Sequence, residues 1–565
     1  MQKSNIAKVF YKFLIVYDFH SLEYFFGEYK IKTYICGEQL TRSIMSDFID
    51  YGNSDFKRVI NSNFVDKSGL LNFLNNSLDT EHCFICISRP RRFGKSVAAK
   101  MAYAYYDRSS DSSKLFEGLE ITKSPDYKTH LNKYPTIYID WNRFADLDHK
   151  TIVKDAQKRF VADLKKSYPF LEEKDSFANA LDEINEKTGD RFILIIDEWD
   201  MLVRDENATT RDEYVNFLRA MFKSNNANKL FLLVYMTGIL PIIKYETQSA
   251  LNNFDEYSVI NPGDTAQYYG FTKEEVIKIC LDNKMDLALM EHAYDGYVIG
   301  REKSMFNPNS VMKAVRNRNY GSYWEKTASF TFIETYIHLN DETIRPKIEE
   351  MLNGGTVAIE VTSFRNDMNH IENADDVFTL LVHLGYLSYD PETYCVMIPN
   401  TEVAGEFRNA IAKAGWGWLS KALANSLTLV DKTLKLDADY IANAFDTYRP
   451  FASSVQRINS EAAMTCAIRM AYYAAEKDYK IFHELPTGKG FADMVFIPLP
   501  GSSRPAIVVE LKYDKTADSA IDQIHRKDYP ASLKGFSKRI ILVGVNYNKS
   551  ESKHEVKLEV IEGER

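Results

Sequence analysis

The feature that most constrains the fold is an alternation, between residues 83 and 237, of short apolar runs with longer stretches of helical character. The apolar runs are Cys83 to Ser88, Pro135 to Asp140, Arg191 to Ile196 and Lys229 to Thr237. Helix-like stretches run from Val97 to Tyr106 and from Ile152 to Tyr168. Short runs that are apolar at successive positions read as strands buried on both faces, and strands separated by helices pair in parallel with the helices covering the sheet. An α/β fold follows. No apolar run approaches the ~20 residues that a membrane-crossing helix needs.

The chain has 565 residues, which suggests three or four domains, and its 45% hydrophobic and 26% charged content excludes a wholly disordered chain. Six cysteines are too sparse for a disulfide framework. No basic-then-apolar leader opens the chain, so a cytoplasmic address is expected. A net charge of -9 argues against a polycation that coats nucleic acid. Residues 451–565 carry about 17 basic and about 15 acidic side chains, so that segment is the favoured one for handling a polyanion.

Four segments are expected. Residues 1–54 form an extension rich in Tyr and Phe with no assignable role, and 55–267 hold the alternating pattern. Residues 268–450 turn to helices with short turns; there a helix at Asp375 to Leu384 precedes a possible hairpin around Pro391 to Pro399, compatible with a winged-helix piece. Residues 451–565 open with a helix at Ser460 to Glu476. Strands follow at Lys480 to Glu484, Phe491 to Ile497 and Ala506 to Leu511, then a helix at Thr516 to Tyr529 and a strand at Arg539 to Val545.

The first candidate site lies where the first strand meets its helix. Gly94-Lys95-Ser96 is the second half of a phosphate-binding loop: the glycine lets backbone N–H groups approach phosphate, the lysine reaches its outer oxygens, and the serine hydroxyl ligates Mg²⁺. Arg91, Arg92 and Phe93 complete its approach, and Arg89 stands where the general pattern has glycine. Ile193-Leu194-Ile195-Ile196-Asp197-Glu198 is its partner: Asp197, at the tip of a buried strand, holds Mg²⁺, and Glu198 orients or deprotonates the attacking water. Thr237, ending the next strand, is a candidate sensor of the γ-phosphate. Arg91, Arg92, Arg211 and Arg219 are each candidates to stabilise transferred charge. Cys83 and Cys86 lack a second pair at zinc spacing and are expected to be buried and inert.

The second candidate site is acid, acid, lysine. Asp493 opens one strand, and Glu510-Leu511-Lys512 closes its neighbour, with Glu510 and Lys512 on one face because strand side chains repeat every two residues. Two carboxylates bind a hard divalent cation, which polarises a phosphodiester and activates water, and the lysine neutralises developing charge. Glu484 and Glu461 are candidates to complete the metal shell, and Gln523 to position. Charges inside the apolar run Val508-Val509-Glu510-Leu511-Lys512 are costly unless they are paired or used.

These residues carry a resemblance. Asn63-Phe64-Val65-Asp66-Lys67-Ser68, Ser88-Arg89-Pro90-Arg91-Arg92-Phe93-Gly94-Lys95-Ser96 and Leu194-Ile195-Ile196-Asp197-Glu198-Trp199-Asp200 resemble the prokaryotic AAA-ATPase-like family. Gly270-Phe271-Thr272, Tyr294-Asp295-Gly296-Tyr297 and Phe306-Asn307-Pro308 look like its continuation. The end of the chain resembles the PD-(D/E)XK nuclease domain often fused to that family, with Asp493, Glu510 and Lys512 on the motif positions. That family's usual arginine two residues before the aspartate is here Phe491. The resemblance implies an α/β architecture: a P-loop NTPase parallel sheet, a helical, winged-helix-like middle region, and a C-terminal restriction-endonuclease-like domain. It also implies ATP, Mg²⁺ or, at the nuclease site, Mn²⁺, a nucleic-acid partner with DNA first, no membrane, and assembly into a homo-oligomer as an open option. Defence or mobile-element maintenance is the context such fusions suggest. Two readings of a different kind stand beside nucleotide-controlled cleavage. One is an ATP-driven oligomerising switch whose last domain binds nucleic acid without cutting it. The other is an inert ATPase scaffold.

Overall fold

The computed structural model describes residues 47–49, 51–62, 64–172, 176–205, 207–223, 226–242, 251–324, 343–365, 371–414, 418–452, 468, 470–487, 490–533 and 535–562. Most of the expected N-terminal extension, and the helix expected from Ser460 as far as 467, therefore lie outside the described residues.

Strands β1 (Phe84–Ser88), β2 (Thr136–Asp140), β3 (Phe192–Asp197), β4 (Phe231–Gly238) and β5 (Asp255–Tyr257) form one parallel sheet in the order β2-β3-β4-β1-β5. β1 and β3 are buried throughout, as continuous apolar runs between helical layers must be. The order inserts β4 between β1 and β3, so Asp197 and Thr237 are register partners and Ile87 pairs with Thr237 on the other side. Four of these strands lie within two residues of the sequence expectation. β5 is an addition: its Asp255-Glu256-Tyr257 is half-buried at the sheet edge and has no apolar run to announce it. At the opposite edge Ile49 bridges Ile137. There the Asp163 carboxylate accepts the N–H groups of Asp47, Phe48 and Ile49.

The middle region is helical but carries two small sheets. β6 (Phe271–Thr272), β7 (Tyr297–Ile299) and β8 (Glu302–Phe306) pair in the order β6-β8-β7, beside the helices Lys273–Asn283, Leu287–Tyr294 and Pro308–Asn317. Further on, β9 (Val357–Ala358), β10 (Ser388–Asp390) and β11 (Cys395–Met397) pair as β10-β11-β9. The helix Ala374–Leu384 followed by the β10–β11 hairpin is the winged-helix-like piece. That helix is buried continuously from Val377 to Leu384; it is a core element and presents no face that could enter a nucleic-acid groove. It stops at Gly385, whose φ of 86° suits glycine, and a Cβ there would lie 2.7 Å from Pro90 in the phosphate loop.

The C-terminal sheet runs β12 (Tyr479–Thr487), β13 (Gly490–Pro498), β14 (Ala506–Tyr513), β15 (Arg539–Asn548), β16 (Lys553–Glu562) in sequence order. All neighbours are antiparallel except β14 and β15, which the helix Ala517–Arg526 connects in parallel. Strand parity divides its two faces. Met494, Phe496, Ile507, Val509 and Leu511 join an apolar core that also contains Phe378, Phe407, Phe445 and, in the phosphate loop, Phe93. Val508 packs with Ile521 and Ile524 of the connecting helix, and Glu510 and Lys512 share its parity. One more tie crosses to this part: Arg408, on the helix Thr401–Ala414, grips Glu476 with both terminal nitrogens, one at 2.6 Å, and its guanidinium lies 4.4 Å from the Tyr473 ring centre.

Candidate active sites

The phosphate loop closes on Gly94, whose φ of 91° in the left-handed region caps the helix Lys95–Tyr106. Arg89, where the general pattern has glycine, is fully buried. Its guanidinium donates to the Ser88 and Tyr257 carbonyls at 2.8 Å and to Thr265 Oγ1 at 2.7 Å, and it sits 5.1 Å from the Tyr269 ring centre. The arginine therefore belongs to the wall behind the loop and leaves the loop itself free to bend around an anion. Lys95 is buried, and its Nζ donates to the carbonyls of Arg89 and Pro90 at 3.1 and 3.0 Å. Burial pulls its pKa down, against the nearby charges of Glu198, Asp200 and Asp197.

Asp197 lies across from this lysine. Burial pushes its carboxyl up to about 6, a hydrogen bond from Ser96 lowers it, and Glu198 and Asp140 raise it further. Tyr138 on β2 donates to Oδ2 at 3.2 Å. The Ser96 hydroxyl and the Asp197 carboxylate thus already touch, which suits a cation held by few protein ligands and several waters. Thr237 stands beside Asp197 with its Oγ1 buried and, among the described residues, without a hydrogen-bond partner, as a group kept for a ligand would be. Arg91, Gly94, Lys95, Ser96 and Glu198 line a cleft of about 760 Å³, to which Phe64 and Phe271 add apolar lining, a size suited to a nucleotide. Arg92 and Phe93 also line it, Arg92 with φ 68° and a bond to the Tyr323 carbonyl at 3.1 Å. Arg211 and Arg219 do not line the cleft. Sequence reasoning missed Arg204, Lys313 and Arg316, which do; the last two come from the helix Pro308–Asn317, and only folding brings them here.

At the second site β13 and β14 pair from Phe496↔Ile507 to Met494↔Val509 and then part. The freed N–H of Leu511 donates to Asp493 Oδ2 at 2.7 Å, so the aspartate carboxylate stands where the ladder ends. Glu510 is 1% exposed. Its Oε1 accepts from Lys512 Nζ at 2.8 Å and from the Gln523 amide, while Oε2 is buried and has no hydrogen-bond partner among the described residues. Burial, and then the Asp493 charge, push this carboxyl up to about 7, and Lys512 draws it back. Gly544 lies next to Glu510 on β15, and a Cβ there would come 2.6 Å from the Ala517 carbonyl. Its absence lets the connecting helix approach close enough for Gln523 to reach Glu510. Two carboxylates, one with a free buried oxygen, fit a divalent cation. Among the described residues no third acid or histidine joins them. By register Glu484 sits opposite Asp493 on β12, and Glu461 lies outside the described residues.

Comparison with known proteins gives the class of each part. Residues 50–247 match the model of the family described as Predicted AAA-ATPase, and residues 460–557 match that of the PD-(D/E)XK nuclease superfamily. The chain therefore carries an AAA-ATPase domain followed by a C-terminal PD-(D/E)XK nuclease domain. No curated protein matches it. Among solved structures it is similar to the Aeropyrum pernix ORC2 protein in ADPNP–ADP complexes, at 12% identity and a TM-score of 0.33, over 65% of this chain and 99% of that one. It is similar as well to the Aeropyrum pernix ORC1 protein in complex with DNA, at 11% identity and a TM-score of 0.26, over 65% and 97%. The AMPPCP-bound DnaA of Aquifex aeolicus gives 10%, 0.21, 63% and 90%. Scores this low bear on neither site.

Proposed function

We propose that the chain hydrolyses ATP in the cleft around Lys95 and that nucleotide state controls metal-dependent phosphodiester cleavage, of DNA first, at Asp493, Glu510 and Lys512. The observation that carries this reading is Glu510: a buried carboxylate with one oxygen unpartnered, beside a second carboxylate and a lysine, in a domain of a nuclease superfamily. A divalent cation held by Asp493 and Glu510 would polarise the scissile phosphate and supply activated water. Lys512 offsets the charge that gathers on the phosphate, and Gln523 holds Glu510 in its rotamer. In the cleft, Lys95 and the loop amides bind the phosphates. Water attacks the γ-phosphorus, its proton passes to Glu198, and the bond to the bridging oxygen breaks to leave ADP.

Support for the link between the sites is the core that runs from Phe93 to Val509 and Leu511. Sparse cysteines support a cytoplasmic setting, and among the described residues no helix is long and apolar enough to cross a membrane. The test is cleavage of supercoiled and linear DNA with Mg²⁺ or Mn²⁺, with and without ATP, in wild type, Lys95→Ala and Asp493→Ala. Cutting that disappears in Asp493→Ala, and that responds to ATP only when Lys95 is present, is the expected result. Intact ATP turnover with no cutting of DNA or RNA would transfer the function to an ATP-driven switch.

A further inference from the structure

The turn that follows β3 holds a charged network beside the phosphate loop. Glu198 has φ 54°, a left-handed conformation that is strained for a non-glycine residue and persists only where the surroundings enforce it. Arg204, at the end of that turn, lies with Nη2 3.3 Å from Glu198 Oε2 and Nε 3.0 Å from Asp200 Oδ2. Asp200 is fully buried. Its Oδ2 also accepts the N–H groups of Ile239 at 3.2 Å and Leu240 at 2.9 Å, the two residues that follow β4. Gly238 makes room for this arrangement, since a Cβ there would lie 2.6 Å from Asp200 Oδ1. Glu198 and Arg204 both line the nucleotide cleft.

We propose that Arg204 is a positioning residue for ATP hydrolysis: it holds the Glu198 carboxylate toward the cleft and, through Asp200, ties it to the tip of β4 where Thr237 stands. The inference rests on the ATPase reading above. The arginine has two carboxylate partners, one at Nη2 and one at Nε, and the second is buried and held by two backbone N–H groups, so Asp200 sets where the guanidinium lies and the guanidinium sets where Glu198 lies. A base held this way accepts the proton of the attacking water without first searching its rotamers. Movement of β4 on nucleotide binding would reach Glu198 through the same three side chains.

The test measures phosphate release from Mg-ATP by the full-length chain, together with binding of a fluorescent ATP analogue. In Arg204→Met, kcat should fall about ten-fold or more while KM and analogue affinity stay within about two-fold. Arg204→Lys should recover part of the loss. Adding Arg204→Met to Glu198→Gln should cost little further, because both act on one step. Asp200→Asn, which keeps an oxygen to accept both N–H groups but lacks the charge, should lower kcat in the same direction. If Arg204→Met does not fold, Arg204→Lys and Asp200→Asn decide the matter by the same kcat-against-KM split. Wild-type kcat in Arg204→Met, or a loss that multiplies with that of Glu198→Gln, would overturn the role. A matching loss of analogue binding would do so too, by making the arginine a phosphate ligand. Absence of turnover in wild type would overturn the ATPase reading and this role with it. Turnover lost in Glu198→Gln and unchanged in Arg204→Met would overturn this role alone.

Discussion

At the scale of single residues, buried polar groups around the phosphate loop are used in two opposite ways. Arg89 spends both terminal nitrogens on oxygens of the wall, so Arg89→Gly, which restores the general loop pattern, should weaken the fold by about 2–4 kcal/mol in urea unfolding. Three oxygens would lose their donor. Thr237 is the reverse case: among the described residues its hydroxyl has no partner. Thr237→Val should leave stability within about 1 kcal/mol yet lower ATP turnover about ten-fold or more. Equal turnover in that variant would remove Thr237 from the site. The loop, Asp197, Glu198, Asp493, Glu510 and Lys512 were legible because each is an ordered charge placed in an apolar strand or at its tip. Arg204 and Asp200 were not, because what marks them is a shared partner across a turn, and spacing along the chain does not record that.

Elements were legible where their burial pattern is simple. β1 and β3 read directly as apolar runs. β16 was missed because Lys553 to Glu562 alternates charged and apolar residues at the sheet edge, with only half its side chains turned inward. The helix Ala374–Leu384 was found, but its surroundings were not: an apolar helix before a hairpin does not say whether its outer face is covered. The helix Thr401–Ala414 gives a test at this scale. Glu402, near its start, accepts the Ser310 hydroxyl and the N–H groups of Tyr323 and Trp324, and burial pushes its carboxyl up to about 6 from an ordinary 4.5. Between those values the folded chain keeps a proton that the unfolded chain has released, so stability falls as pH rises through that window and stays lower above it. Glu402→Gln keeps the acceptor and cannot ionise. Its stability relative to wild type should therefore rise by about 2 kcal/mol from about pH 4.5 to about pH 7.5, as read by unfolding at the two pH values. A pH-independent difference would contradict the assignment.

At the scale of the molecule, the face of the nuclease sheet turned away from Glu510 is covered by the chain itself. Phe93 and Leu511 belong to one apolar cluster, and Arg408 with Glu476 adds a buried ion pair whose rupture from one side costs about 3–5 kcal/mol. Residues 47–565 should accordingly unfold together, with one calorimetric transition that an ATP analogue moves as a whole. Two separated transitions, with only the first moved by nucleotide, would show that the halves melt independently. The shared core also bears on how such a chain can change over generations. A recombination event that exchanged the last domain for another would have to supply an apolar sheet face fitted to the same helices, so the two halves are expected to be inherited and to drift as a pair.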